Sequence, residues 1–321
     1  MKLLVTGGLG FIGSNFINYW LSNHREDIIV NVDKVTYAAS FDNINAPNND
    51  HYRFVKADIN DRKSLEEIIA SSDSIVNFAA ESHVDNSISS PEEFIKSNYV
   101  GVFNLLELVR KYDKRFHQVS TDEVYGSLPL NSPDRFNENS CYNPRNPYSS
   151  TKAAADFLIR SYVNTYGIKA TISNCSNNFG PNQHPEKLIP KTILNALSKK
   201  KIPIYGSGKQ VRDWIYVEDH CRAIDLIIHK GRIGETYLIS SENEMSNIEL
   251  VNNILNILDV SPGLIENVSD RPGHDERYSL DPEKIKTELG WYPRNSFEAA
   301  IRITIKHYQE NINRYTKMKK T

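Results

Sequence analysis

KLLVTGGLGFIG, residues 2–13, runs from an aliphatic segment into Gly7, Gly10 and Gly13, spaced GxxGxxG, and continues with Phe11, Ile12, Phe16 and Ile17 at helical intervals. A strand that ends in such a turn and opens a helix brings backbone N–H groups to a pyrophosphate, where the helix N-terminus adds partial positive charge. Glycines alone also make ordinary turns. Asp33 supplies context: it lies 20 residues beyond Gly13, at the end of a second aliphatic run. A carboxylate there accepts hydrogen bonds from the adenosine ribose hydroxyls and repels a 2′-phosphate. The two spacings together favour NAD, while Lys34, next to the acid, leaves room for the extra phosphate of NADP.

Downstream, short β-branched runs at 28–32, 52–56, 74–78, 116–120 and 169–173 join the first at 3–6, with amphipathic segments between them. That alternation predicts an α/β fold, a Rossmann-type doubly wound parallel sheet. One helix is expected over 91–111, opened by Ser90 as N-cap, Pro91 at the first helical position and Glu93 as a capping-box acid. Another is expected over 148–166, announced by Asn146 and Pro147. Beyond residue 175 the loops lengthen and become rich in Asn, Pro and Gly. Helices at 186–199, 218–230, 247–258 and 296–310, with strands at 202–205 and 236–239, suggest a smaller C-terminal α/β lobe. The expected division is 1–175, then 176–315 with some segments returning to the first domain, then a frayed polar tail at 316–321.

The chain has 321 residues, 39% hydrophobic and 24% charged, which is ordinary globular usage. Thirty-eight basic against 40 acidic side chains give a net charge of −2, so no overall field recruits nucleic acid or an anionic membrane. No apolar run approaches the roughly 18 residues of a membrane span, and the start reads as strand and glycine turn, not as a signal peptide. A soluble cytoplasmic protein is the expectation. Cys141, Cys175 and Cys221 are widely spaced and show no metal-ligand pattern, so neither a disulfide framework nor a metal site is expected.

Tyr148 and Lys152, four residues apart, share one helix face. A phenol beside an ammonium and a cationic nicotinamide is favoured as phenolate and can take a hydroxyl proton. On solvated helices the same spacing is common and carries no chemistry. Thr121, Asp122 and Glu123 follow the strand at 116–120, at the carboxyl edge where the crevice of a parallel sheet opens. Thr121 and Tyr148 are expected to converge on one substrate hydroxyl.

TGGLGFIG (6–13), AAESHVD (79–85), STDEVYG (120–126), YSSTK (148–152) and RDWIYVED (212–219) together resemble the extended short-chain dehydrogenase/reductases. PEKLIP (185–190) and DRPGH (270–274) narrow the resemblance to the nucleotide-sugar 4,6-dehydratases that act on dTDP-glucose, across residues 2–291. The resemblance implies a hydro-lyase of deoxysugar biosynthesis that borrows a hydride on NAD, with Glu123 as the base at sugar C5 and Asp122 as the acid for the departing C6 hydroxyl. Two opposite proton transfers need two carboxyl groups in different environments. A simple epimerase has no obvious use for the pair. The second lobe would then mainly hold the nucleotide sugar.

By the same resemblance Phe11 and Ile12 meet the pyrophosphate, and Asp33, Lys34, Val35 and Thr36 the ribose and adenine edge. Asp58 and Ile59 form the adenine pocket, while Phe78, Ala79, Ala80, Glu81 and Ser82, with Ser97 and Asn178, line the rest of the cofactor. Ile59 and Phe78 read equally well as core. On the sugar side it implies Ser82, Thr121, Asn177, Lys187 and Leu188, then Pro203, Ile204 and Tyr205, and finally Arg212, Asn247, Arg271 and His274. Arg212 can offer a bidentate fork to phosphate. Asn247 is open between a ligand and the first residue of a helix capped by Ser246 and Glu249. Leu9 stands where a smaller residue is usual, and Asn86 where an Arg is common.

Val102, Leu105, Leu106 and Val109 recur at helical spacing, as do Ala154, Leu158 and Tyr162. The patterns serve a monomer's core or a partner alike; the resemblance implies a homodimer through a four-helix bundle. Two other readings stay open: dehydration of another, UDP-linked hexose, and a non-catalytic dinucleotide-binding scaffold.

Overall fold

Leu3 and Val5 pack into one hydrophobic cluster while Leu4 packs into another, the period-two alternation of a strand buried on both faces. Val76 and Ile75 repeat the pattern on the neighbouring strand of the sheet. The computed structural model describes residues 1–45, 50–270 and 272–318. In order come β1 (Lys2–Thr6), α1 (Phe11–Asn23), β2 (Ile28–Asp33), β3 (Tyr52–Lys56), α2 (Arg62–Ala70), β4 (Ser74–Asn77), α3 (Val84–Ser89), α4 (Pro91–Ile95), α5 (Gly101–Lys111), β5 (Arg115–Thr121), α6 (Pro147–Tyr166) and β6 (Lys169–Cys175). They continue with β7 (Asn177–Phe179), α7 (Leu188–Leu197), β8 (Ile202–Tyr205), β9 (Val211–Tyr216), α8 (Val217–Lys230), β10 (Thr236–Ile239), β11 (Glu244–Ser246), α9 (Asn247–Leu258), β12 (Ile265–Val268), α10 (Glu283–Leu289), α11 (Phe297–Glu310) and α12 (Ile312–Met318).

Seven parallel strands form the main sheet in the order β10-β6-β5-β4-β1-β2-β3, the expected doubly wound arrangement. Its outermost member, β10, comes from late in the chain and pairs Thr236 with Ile172. The smaller sheets β11-β9-β7 and β12-β8 lie beyond β6 in sequence, with α7 and α9 packed on each other. Ile189, Ile193, Leu250 and Ile254 share a cluster with Leu3 and Phe16, so this C-terminal region is continuous with the core of the main sheet.

Three local expectations change, and one open reading is resolved. The helix over 91–111 holds a π-helical turn over 96–100 between α4 and α5, and Ser90 makes no side-chain capping bond. π-turns collect where a function is served. Here the turn carries Ser97 to the cleft, and Asn98 exchanges two hydrogen bonds with the Glu81 backbone, at 2.9 and 3.0 Å. Second, α7 begins at Leu188, because Lys187 is extended (φ −76°, ψ 155°) and acts as its N-cap. Third, Thr316, Lys317 and Met318 belong to α12, whose Tyr315 ring packs at a tilt on Tyr308 at 4.7 Å; the rest of the expected tail, 319–321, lies outside the described residues. Last, Val102, Leu105, Leu106 and Val109, whose pattern served core and partner alike, are buried in the core, while Ile95, Tyr99, Val100 and Phe103 are exposed, as are Phe157 and Tyr166 of α6.

Candidate active site

Gly7 has φ +71°, and a Cβ there would sit 2.6 Å from the Ala79 backbone nitrogen; a Cβ on Gly13 would sit 2.4 Å from the Gly7 carbonyl. Only glycine folds at these two positions. Gly10 differs: its Cβ would meet nothing nearer than the Gly7 carbonyl at 3.3 Å, so its bareness serves the open cavity in front of it. That cavity, about 310 Å³, runs along the carboxyl edge of the main sheet, from Asp33 past the start of α1 to Tyr148. Asp33 accepts the Leu9 N–H at 3.0 Å and the Val35 N–H at 2.8 Å, which aims its remaining lone pairs at the cavity. Lys34 lies 3.7 Å from Glu81, so its charge is already engaged.

Of the residues expected at a dinucleotide, Gly7, Gly10, Phe11, Ile12, Gly13, Asp33, Lys34 and Thr36 line this cavity. So do Asp58, Ile59, Phe78, Ala79, Ala80, Glu81, Ser82, Ser97 and Asn178. Val35 does not: it packs against the core and contributes its backbone N–H to Asp33. Ile59 and Phe78 serve both purposes, Phe78 lying 5.2 Å from the Phe16 ring. An open backbone cradle, a ribose-facing carboxylate and a neutralised lysine fit an adenine dinucleotide without a 2′-phosphate.

Where this cavity meets a second one, the reactive groups gather. β5 ends in Thr121, and a turn of 3-10 helix over Asp122–Tyr125 carries the two acids. Thr121 Oγ1 donates to Asp122 Oδ1 at 3.1 Å and accepts the Glu123 N–H at 3.3 Å. Asp122 is 3% exposed, and its Oδ2 is buried with no partner. Burial and the neighbouring Glu123 hold the Asp122 carboxyl well above the usual range. Glu123 is raised by burial too, but Asn146, which donates at 3.3 Å, and the nearby Arg212 and Lys187 charges pull it down. The two acids therefore differ in readiness to hold a proton.

Tyr148 and Lys152 enter from α6, whose capping box joins Asn146 and Ser149. Tyr148 meets the Thr121 side chain, while Lys152 donates from Nζ to the Val119 carbonyl at 2.7 Å. Burial and the Glu123 charge push the phenol well up, and burial pushes the ammonium down. The expectation of a phenol lowered by its lysine neighbour is not met without a further positive charge in the cavity.

The second cavity, about 350 Å³, shares Ser82, Glu123, Asn177 and Lys187 with the first. Leu188, Pro203, Ile204 and Tyr205 line it, as do Arg212, Asn247 and His274. Thr121 lies in the first cavity only, and Arg271 is outside the described residues. The Arg212 guanidinium donates to the carbonyls of Val211 (2.7 Å) and Asp275 (2.9 Å) over the Tyr278 ring, so backbone bonds fix its fork. Ser246 and Glu249 do form the capping box, which leaves the Asn247 side chain to the cavity. Lys191, Tyr278 and Asn146 also line it and are absent from the sequence expectations as site residues. For Asn146 the signal was present, as the cap immediately before Tyr148; Tyr278 lies in a loop without periodicity.

The sequence profile of the GDP-mannose 4,6 dehydratase family matches residues 4–304. A dTDP-glucose 4,6-dehydratase of Mycolicibacterium smegmatis is 49% identical over 322 aligned positions, covering 100% of this chain and 97% of the relative. Among solved structures, the dTDP-glucose 4,6-dehydratase of Bacillus anthracis in complex with NAD superposes with a TM-score of 0.93 at 44% identity, covering 99% of each chain. The Streptomyces venezuelae dTDP-glucose 4,6-dehydratase with NAD and TYD bound gives 0.95 at 41% identity, covering 99% of this chain and 100% of the other.

Proposed function

The chain belongs to the GDP-mannose 4,6-dehydratase family, and from that premise we propose that it is a hydro-lyase that converts dTDP-glucose to dTDP-4-keto-6-deoxyglucose, an entry step of deoxysugar biosynthesis. Full-length likeness to dTDP-glucose dehydratases supports this substrate over a GDP-linked one. The observation that carries the reaction class is the pair Asp122 and Glu123, buried side by side where the two cavities join, with unequal hold on a proton.

NAD, which the glycine turn, Asp33 and the other residues lining the first cavity would hold, would supply a reversible hydride acceptor for the sugar and a positive charge in the cavity that Tyr148 lines. Tyr148 takes the C4 hydroxyl proton, and Thr121, which lines the same cavity, orients that hydroxyl. Lys152, with its Nζ tied to Val119, keeps a positive charge beneath the helix face. Once C4 is a ketone, the C5 hydrogen is acidic and Glu123 removes it as a proton. The neutral carboxyl of Asp122 gives its proton to the C6 hydroxyl, which leaves as water. Arg212 and Lys187 face the charged end of the substrate, and Asn247 adds an amide donor.

The test is direct. Purified protein with no added cofactor should dehydrate dTDP-glucose and place solvent deuterium on C5; loss of water from none of the dTDP-, UDP- and GDP-linked hexoses would overturn the assignment. We also propose a cytoplasmic homodimer. No described helix is long and apolar enough to cross a membrane, and the outer face of α4, α5 and α6 exposes Ile95, Phe103 and Phe157 by 50, 37 and 55%. We likewise propose a domain division near residue 175, with β10 returning to the main sheet.

A further inference from the structure

Far from both cavities, where the end of α1 meets α8, three ligand-type side chains converge. His24 is the C-cap residue of α1, and Asp225 and His229 sit one turn apart on α8. His24 Nε2 lies 3.0 Å from Asp225 Oδ2, and His229 Nδ1 lies 2.8 Å from Asp225 Oδ1. All three ligand atoms fall within 4.8 Å of one another. We propose that His24, Asp225 and His229 bind one divalent transition-metal cation of the zinc, nickel or copper type, which clamps α1 to α8.

Two imidazole nitrogens and a carboxylate suit these borderline cations and not magnesium or calcium, which take oxygen ligands. Metal bonds of about 2.0–2.2 Å place neighbouring ligand atoms about 3 Å apart, the spacing already present at both His–Asp edges. Further contacts orient the ligands. The Trp20 ring stacks on His24 at 4.2 Å and on His229 at 5.5 Å, and Tyr19 donates its hydroxyl to Asp225 Oδ2 at 3.0 Å. Side-chain exposures of 25% for His24, 15% for Asp225 and 43% for His229 leave a solvent path and room for water ligands. His229 Nδ1 also lies 3.0 Å from the Asp225 carbonyl, so the metal-free ring carries its proton there. Metal binding uses the Nδ1 lone pair, and the ring proton moves to Nε2; no electron is transferred. The alternative state of the same atoms is a pair of His–Asp ion pairs without metal.

The glycine turn lies at the opposite end of α1, a 13-residue helix about 20 Å long, so the cation touches neither cofactor nor sugar. Full-length protein without an affinity tag, stripped with a chelator, is titrated with zinc chloride by calorimetry and with nickel chloride by tryptophan fluorescence, Trp20 being the reporter. One equivalent should bind, nickel should quench, and zinc should raise the melting midpoint by several degrees, with no response to magnesium. His24→Gln, His229→Gln and Asp225→Asn should each weaken binding at least tenfold while turnover in metal-free buffer stays at the wild-type level. That last readout certifies each variant's fold. Absence of micromolar binding by the wild type, or wild-type stoichiometry and affinity in the His24→Gln/His229→Gln double variant, would overturn the site. The latter result would place the metal elsewhere on the protein.

Discussion

At the cofactor end of the cleft Gly7, Gly10 and Asp33 come from one β-α-β unit, whereas at the sugar end Glu123, Lys187, Arg212, Asn247 and His274 come from elements spread between β5 and the loop before α10. The first end works through backbone: bare glycines, a helix start, and an acid placed by two N–H groups. The second works through side chains that already have partners, such as Lys187 on the Ser82 carbonyl at 3.1 Å and His274 on Asp270 at 2.6 Å. Recognition of the pyrophosphate and the adenosine ribose is thus local, while sugar recognition depends on how the C-terminal region sits against the sheet. Asp122 and Glu123 stand on the boundary and answer to both.

The largest expected effect lies at that boundary. Glu123→Gln should lower kcat about 10²–10⁴-fold with NAD still retained. Asp122→Asn should leave the oxidation running but stall loss of water, so that reduced cofactor accumulates and is visible by absorbance. Equal loss of both half-reactions in the two variants would erase the division of labour. Because Glu123 must be ionised and its carboxyl is raised, the acid limb of the kcat profile should lie above the usual glutamate range; Asp122→Asn should remove the alkaline limb.

Within the cofactor end, Gly7→Ala forces a side chain into the left-handed region and against Ala79, which should cost about 2–4 kcal/mol in urea unfolding. Gly10→Ala should barely move stability yet weaken NAD binding, since its contact lies at 3.3 Å and the open side faces the ligand. Equal destabilisation by both would remove the distinction between glycines that fold the turn and one that serves the cavity. At the sugar end, Asn247→Ala should raise KM about 5–20-fold, roughly 1–2 kcal/mol, with kcat unchanged.

The floor under both ends gives the broadest effect, spread over several pH units. His117 of β5 lies between Thr171 and Ser173 hydroxyls at 2.9 and 3.1 Å, and His220 of α8 pairs with Asn178 at 2.9 Å. Burial pushes both imidazoles down to about 3, against about 6.5 in the unfolded chain. The unfolded state binds more protons between these values, so stability should fall as pH drops from about 6.5 towards 3 and stay level above. The slope is at most about 1.4 kcal/mol per pH unit for each ring. His117→Gln should flatten the curve in urea titrations at a series of pH values.

Much of this was legible from local pattern. Strands at 52–56, 202–205 and 236–239 and the helix over 247–258 match the structure residue for residue, since each is a short β-branched run or a capped amphipathic segment between turn residues. The π-turn was not legible, because it follows from packing: a Cβ on Gly101 would lie 2.4 Å from Ile59, and Asn98 is held by the Glu81 backbone. The inward turn of Val102 and Leu105 was equally out of reach, as periodicity shows that a helix has an apolar face but not which surface covers it.

Backbone conformation and hydrogen bonds to near neighbours follow from the residues themselves, and for that reason the glycine turn, the placement of Asp33 and the caps at Asn146 and Ser246 were determined by the chain's own order. Burial and electric field are sums over distant groups. The unequal proton affinities of Asp122 and Glu123, the second role of Asn146 on Glu123, the anchoring of Arg212 by residues 63 or 64 positions away and the meeting of His24 with His229 were therefore decided only when the tertiary structure brought those groups together.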